Sequence, residues 1–262
     1  MRLFSLAGRT ALVTGAGSPT GIGFATSELL GALGATVWMT ATTDRVHDRA
    51  AELRDQGLDA RALVADLTDP DQVAGTVRAA AHDNGLHIVV NNAGMTSVGT
   101  SPTAEAGDLA TMSLESWRDG LARNLDTAFL VTRAAIPHMR RARWGRIVMV
   151  ASVTGPVMAM RGEPVYAAAK AGMVGLMRAL AVDLATSGIT ANAVAPGWIA
   201  TGSQLPHEVR EGEHTPIGRS GRPEEVAAAV AWFASSEASY CSGQLLVVDA
   251  AAGIAEERAL PR

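Results

Sequence analysis

The sequence predicts an α/β fold, a doubly wound parallel sheet of about seven strands with helices on both faces, and three observations lead there. Short β-branched or apolar runs alternate with longer, Ala-rich helical stretches, which is the pattern of βαβ units. Runs such as Ile147-Val148-Met149-Val150 are apolar without alternation, as strands covered on both faces must be. The 262 residues are 48% apolar and only 18% charged, against about 25% charged in an average soluble protein. That balance supplies a large core and excludes a disordered chain.

In chain order, strands are expected at residues 10–14, 36–40, 60–65, 86–90, 146–151, 190–195 and 244–248. Helices are expected between them at 21–34, 44–56, 69–84, 114–142, 164–186 and 223–235. No linker, repeat or low-complexity tract interrupts this alternation, so residues 1–262 read as one domain. Two stretches, 99–113 and 196–221, lack periodicity and follow strand ends, where open α/β sheets bind ligands; they are read as substrate loops.

Charge and special residues narrow the function classes. With 22 basic and 26 acidic side chains the net charge is −4, and no basic run suggests nucleic acid or an anionic membrane as partner. No apolar run reaches the roughly 18 residues of a membrane span, and the first eight residues do not resemble a secretion signal. Cys241 stands alone, so neither a disulfide nor a cysteine zinc site is available, and a cytoplasmic location is expected. The six histidines (47, 82, 87, 138, 207 and 214) show no ligand spacing, and no metal is expected.

The first candidate site follows the first strand. Gly15, Gly17, Gly21 and Gly23 crowd the turn before a helix. Glycine there lets backbone approach a diphosphate, and the helix N-terminus offers free N–H groups and the positive end of its dipole. The second strand ends on the neutral Thr40-Ala41-Thr42-Thr43, where a 2′-hydroxyl-binding acid would stand in an NAD enzyme. Thr42, Thr43 and Arg45 suit a 2′-phosphate instead, so NADP(H) is expected over NAD(H), with Asp44 opposing. Asp66 ends the third strand within reach of an adenine amino group, and Asn91-Asn92-Ala93-Gly94 ends the fourth.

The second candidate site is chemical. Tyr166 and Lys170 are four residues apart in a helical segment, hence on one face a turn apart. Lys170 is the only lysine among 22 basic residues and follows one of only two tyrosines. An ammonium beside a phenol favours the phenolate, so Lys170 is expected to draw the Tyr166 pKa down, fitting it for proton transfer at a carbonyl. Ser152, at the end of the fifth strand, is placed to hydrogen-bond the same oxygen. Met158, Met160, Met173 and Cys241 read as core. Trp198 reads either as core or as a shield for the nicotinamide.

In this order these residues resemble the short-chain dehydrogenase/reductase family over residues 6–252: the glycine turn, Asp66, Asn91 to Gly94, Asn124, Ser152, Tyr166-x-x-x-Lys170 and Pro196-Gly197-x-x-x-Thr201. The resemblance implies a Rossmann-like sheet and hydride transfer between a nicotinamide coenzyme and a ketone or secondary alcohol. Tyr166 would be the acid/base and Ser152 would orient the carbonyl. Lys170 would hold the nicotinamide ribose, and Asn124 would support a water-linked proton relay. The implied coenzyme contacts are Gly15, Gly17, Ser18, Gly21, Ile22, Gly23, Thr42, Thr43, Asp66, Leu67, Asn92, Ala93, Gly94, Tyr166, Lys170, Pro196, Gly197, Ile199 and Thr201.

Within the family, the end of the second strand is similar to that of the NADP-dependent 3-oxoacyl-carrier-protein reductases. The resemblance also implies a homotetramer packed through helices 114–142 and 164–186, where Ala179, Ala181 and Ala185 allow close approach. One departure is plain: five residues separate Gly15 from Gly21, two more than the family's spacing. Two other readings stand beside the reductase, an NAD-dependent alcohol dehydrogenase of catabolism and a catalytically silent coenzyme-binding sensor.

Overall fold

The alternation produces a single parallel sheet in the computed structural model, which describes residues 3–94 and 106–256. The strands are β1 (Thr10–Val13), β2 (Thr36–Ala41), β3 (Ala60–Val64), β4 (Ile88–Asn91), β5 (Gly145–Val150), β6 (Ile189–Pro196) and β7 (Leu245–Val248). Across the sheet they run β3-β2-β1-β4-β5-β6-β7, every neighbouring pair parallel. The order reverses between β1 and β4, and the crevice for a ligand lies beyond the carboxyl ends of the strands there.

The helices are α1 (Ile22–Ala32), α2 (Arg45–Asp55), α3 (Pro70–Ala80), α4 (Leu114–Leu121), α5 (Thr127–Ala142), α6 (Pro164–Asp183), α7 (Pro206–Glu213) and α8 (Pro223–Ala234). Successive strand residues point to opposite faces, and two cores result. Val13, Val148 and Val194 meet Leu30, Val46 and Phe233 on one face. Leu12, Ile147 and Ala193 meet Val77, Met139 and Met177 on the other. Each fully buried Leu, Ile or Phe contributes roughly 1.5–3 kcal/mol.

All seven strands fall where the apolar runs place them. The helical segment 114–142 is not continuous, however: residues Ala122–Asp126 form a turn of π-helix between α4 and α5. Segment 196–221 is not all loop, because it contains α7. Leu205 and Val209 there are exposed, so α7 buries no apolar stripe that periodicity could detect. The expected helix 69–84 ends at Ala80. Of the first substrate loop, residues 99–105 lie outside the described residues, and 106–113 form turns tied down by Gly107 N donating to Gly162 O at 2.8 Å. Ala181 is buried in the chain's own core rather than on an outer face, whereas Ala179 and Ala185 are exposed. Cys241 is only half-buried. Among the described residues α6 alone is long and apolar enough to cross a membrane, yet Met173, Val174 and Met177 on it pack against the sheet.

Candidate active site

The carboxyl ends of β1 and β4 are laced together by one hydroxyl. Thr14 Oγ1 donates to Val90 O (3.3 Å) and accepts from Asn92 N (3.0 Å) and Ala93 N (2.9 Å). The chain then turns at Gly15, whose φ of +68° suits glycine, and a Cβ there would lie 2.9 Å from Ala93 Cα. A Cβ on Gly23 would lie 2.6 Å from Gly15 O, and one on Gly17 would lie 2.8 Å from Ala41 Cβ. The turn is thus packed backbone on backbone against β2 and β4.

Gly21 caps α1 without any side-chain hydrogen bond, and no acid occupies the first turn. First-turn amides without a capping side chain, an unopposed helix dipole and glycines at the closest approaches fit a dinucleotide diphosphate. Asn92 has a structural part beside the expected coenzyme contact. Its Nδ2 donates to Thr14 O (2.9 Å) and Gly15 O (3.1 Å), so the side chain braces the turn from below.

Beyond β2, Thr42, Thr43, Asp44 and Arg45 are exposed, and Arg45 Nε donates to Thr43 Oγ1 at 3.2 Å. Asp66 is exposed, with Oδ1 accepting from Thr68 N (2.9 Å) and Thr68 Oγ1 (2.7 Å), which leaves acceptor capacity on the carboxylate. Leu67 is buried beside it. On the far side, Pro196 ends β6, and Gly197 N donates to Val248 O at 2.9 Å. Ile199 is buried, and Thr201 Oγ1 pairs with Ser203 Oγ at 3.0 Å.

The chemical residues converge where β5 gives way to α6. Ser152 Oγ accepts from Thr154 N at 3.1 Å, and its hydroxyl lies beside that of Tyr166, close enough to influence it. Gly155, with φ of +105°, presses the loop after β5 onto α6 so closely that a Cβ would overlap Ala167 O. That requirement brings Ser152 to the first turn of α6, and sequence reasoning missed it because a glycine in a loop carries no distinguishing signal. Tyr166 stands on that first turn and Lys170 on the next. Lys170 is 2% exposed; its Nζ donates to Val150 O (3.2 Å) and sits 5.5 Å from the centre of the Tyr166 ring.

Asn124 lies in the π-turn, packed beneath Gly94, with Nδ2 donating to Gly120 O at 3.1 Å. Its Oδ1 is buried with no partner among the described residues, an acceptor open to a donor such as water. The π-turn explains how: breaking the regular ladder re-aims one side chain at a site. Asn91 belongs to the core, donating to Thr132 Oγ1 at 2.8 Å.

The electrostatics correct one expectation. Burial pushes the Tyr166 phenol up to about 12; the Ser152 hydrogen bond opposes this, and the Glu163 and Glu208 carboxylates push it further up. Burial and the two carboxylates outweigh any pull from Lys170, whose ammonium donates to the Val150 carbonyl and whose own pKa burial lowers to about 8. The phenol therefore holds its proton at neutral pH, the form that donates. Glu163, at the N-cap of α6, is itself raised by burial and by Glu208.

No histidine, cysteine or carboxylate cluster among the described residues is arranged to hold a metal. His87 is a buried strut whose Nδ1 accepts from Thr10 N at 3.1 Å.

Known proteins match this arrangement along nearly its whole length. A family model described as enoyl-(acyl carrier protein) reductase matches residues 15–252. The 3-oxoacyl-[acyl-carrier-protein] reductase of Pseudomonas aeruginosa is 40% identical over 251 residues, covering 94% of this chain and 97% of that protein. The cis-4-hydroxycyclohexanecarboxylate dehydrogenase of Sinomonas cyclohexanicum is 41% identical over 250 residues, covering 94% and 96%. A solved structure from Beutenbergia cavernae, described as an NAD(P)-dependent gluconate 5-dehydrogenase with bound NADP, superimposes with a TM-score of 0.86 at 37% identity, covering 95% of this chain and 98% of that one.

Proposed function

Because this chain belongs to the short-chain dehydrogenase/reductase family, and is an NAD(P)-dependent oxidoreductase, we propose that it reduces a ketone of 3-oxoacyl type to the secondary alcohol at the expense of NADPH. The observation that carries this reading is the pair of hydroxyls, Ser152 and Tyr166, brought side by side at the carboxyl end of β5, with the Lys170 ammonium 5.5 Å from the Tyr166 ring. The names of the Pseudomonas relative and of the NADP-bound Beutenbergia structure support the substrate class and the coenzyme.

When bound, the nicotinamide coenzyme supplies the hydride. The turn residues Gly15, Gly17, Ser18, Gly21, Ile22 and Gly23 hold its diphosphate through main-chain amides. Asp66 and Leu67 receive the adenine, Thr42 and Thr43 the 2′-phosphate, and Ala93, Gly94, Pro196, Gly197, Ile199 and Thr201 the nicotinamide half. Ser152 donates a hydrogen bond to the carbonyl oxygen of the substrate and Tyr166 gives that oxygen its proton, so the charge arriving at carbon never accumulates on oxygen. Lys170 holds the nicotinamide ribose from below. Asn124, through its open Oδ1, carries the water that restores the Tyr166 proton.

The exposed Phe129 on α5 and Val182 on α6, with Leu246 and Val247 on the edge strand β7, support a homo-oligomer, which we read as a tetramer, in the cytoplasm. Light scattering would find four chains, and a monomer at micromolar concentration contradicts this. The dehydrogenase name of the Sinomonas relative supports oxidation towards the ketone, which with NAD as coenzyme is the second reading.

Coenzyme kinetics separate the two. With a 3-oxoacyl thioester, kcat/KM for NADPH is expected to exceed that for NADH by about 10-fold or more. Arg45→Ala is expected to lower the NADPH value by roughly 10-fold and leave NADH unchanged, the size of one lost charge-assisted contact. A wild-type preference for NADH contradicts the reductase reading.

A further inference from the structure

The enlarged glycine turn has a local structure of its own. Gly21 N donates to Ser18 O at 3.2 Å, which closes Ser18-Pro19-Thr20-Gly21 into a β-turn with proline at its second position, as such turns favour. Pro19 and Thr20 are exposed at its tip. Thr20 does not end in solvent, however. Its Oγ1 accepts from Gly202 N at 2.8 Å, a contact between residues 182 apart in sequence.

Gly202 follows β6, and β6 is separated from β1 in the sheet by β4 and β5. Three strand spacings amount to roughly 14 Å. One hydrogen bond therefore joins the two walls of the crevice across the carboxyl ends of β4 and β5, the strands that Asn92 and Ser152 follow. Both partners are shaped for the contact. A Cβ on Gly202 would lie 2.7 Å from Thr20 Oγ1, so the segment approaches only as glycine. That segment is braced on its own side: Gln204 N donates to Thr201 O (3.0 Å), and Gln204 Nε2 donates to Ser220 Oγ (2.9 Å).

We infer that Thr20 is a positioning residue for the coenzyme, a strap that fastens the enlarged turn to the segment after β6 and closes the crevice over the bound dinucleotide. The inference rests on the reading that this crevice takes a nicotinamide dinucleotide. It assigns a use to the two extra residues between Gly15 and Gly21: they carry a hydroxyl far enough to reach the opposite wall. The dinucleotide is then threaded beneath a bridge, and neither enters nor leaves until the Thr20–Gly202 bond opens.

The test is the dissociation rate of NADPH, read by stopped-flow displacement of its fluorescence, together with its Kd. Thr20→Val keeps the shape and removes the acceptor, and Thr20→Ser keeps the acceptor. Breaking one ordinary hydrogen bond is worth about 5- to 10-fold. Thr20→Val is expected to take up and release NADPH that much faster, with Kd and Tm nearly unchanged, while Thr20→Ser behaves as wild type. Gly202→Ala, which pushes the same contact apart from the other wall, is expected to match Thr20→Val, and the double variant to add nothing. Release from Thr20→Val at the wild-type rate, with NADPH still bound, overturns the strap alone. A wild-type protein that binds neither NADPH nor NADH overturns the strap together with the reading beneath it.

Discussion

Replacing Tyr166 by phenylalanine is expected to lower kcat by about 10³-fold or more and to leave the Kd for NADPH nearly unchanged. The phenol is the one group beside Ser152 that holds a transferable proton at neutral pH. Burial and two carboxylates keep it there, with its pKa pushed up to about 12. Loss of a positioned acid costs roughly 10²- to 10⁴-fold, and Ser152 alone offers a hydrogen bond without a comparably acidic proton. Phenylalanine retains the ring, its packing and its place over the Lys170 ammonium, so coenzyme affinity tests whether the site survives the change. A variant that keeps most of its kcat removes Tyr166 from the chemistry.

The second large effect concerns Lys170, through both activity and stability. An ammonium that ordinarily titrates near 10.5 is held down to about 8 by burial. The folded protein therefore disfavours the charged form, at a cost on the order of 3 kcal/mol at pH 7. That cost is fully present below about pH 8 and disappears as pH rises towards 10.5, because the unfolded chain then also loses its proton. Lys170→Met fills a similar volume and forfeits the bond to Val150 O, worth about 1 kcal/mol. The variant is expected to be more heat-stable than wild type at pH 7 by about 2 kcal/mol, with the difference shrinking between pH 8 and 10. Its kcat/KM is expected to fall at least 10²-fold, since the ammonium that holds the ribose is gone. Urea unfolding at pH 7 and pH 10 with intact m-values checks the stability arm. A variant less stable at pH 7 than at pH 10, relative to wild type, contradicts the account.

The strands were legible because both of their faces are buried: runs such as Ile147 to Val150 have no other explanation in a chain this apolar. The Tyr166–Lys170 pair was legible because a lone lysine stood against 21 arginines. What the sequence concealed depends on contacts between distant segments. The direction in which Lys170 points is set by the Val150 carbonyl, twenty residues away, so spacing along a helix placed it on the correct face but could not show that one of its donors goes to backbone. The π-turn at Ala122–Asp126 inserts into an otherwise helical pattern with no proline or glycine pair to mark it. Helix α7 lacks a buried stripe, and Gly155 is required by its φ of +105° and by Ala167 lying opposite. Ala181 shows the converse error, a small residue assigned to an outer face that its own sheet covers.

The most direct test titrates the phenol itself. The chain has two tyrosines, and Tyr240 is fully exposed, so Tyr240→Phe leaves Tyr166 as the only phenol in an ultraviolet difference titration. Ionisation near pH 12, well above the ordinary value of about 10, is the result that keeps a neutral proton donor at the site across the working range. Ionisation at or below the ordinary value would contradict the account, and ionisation below about pH 7 would leave mostly phenolate, with no proton to give.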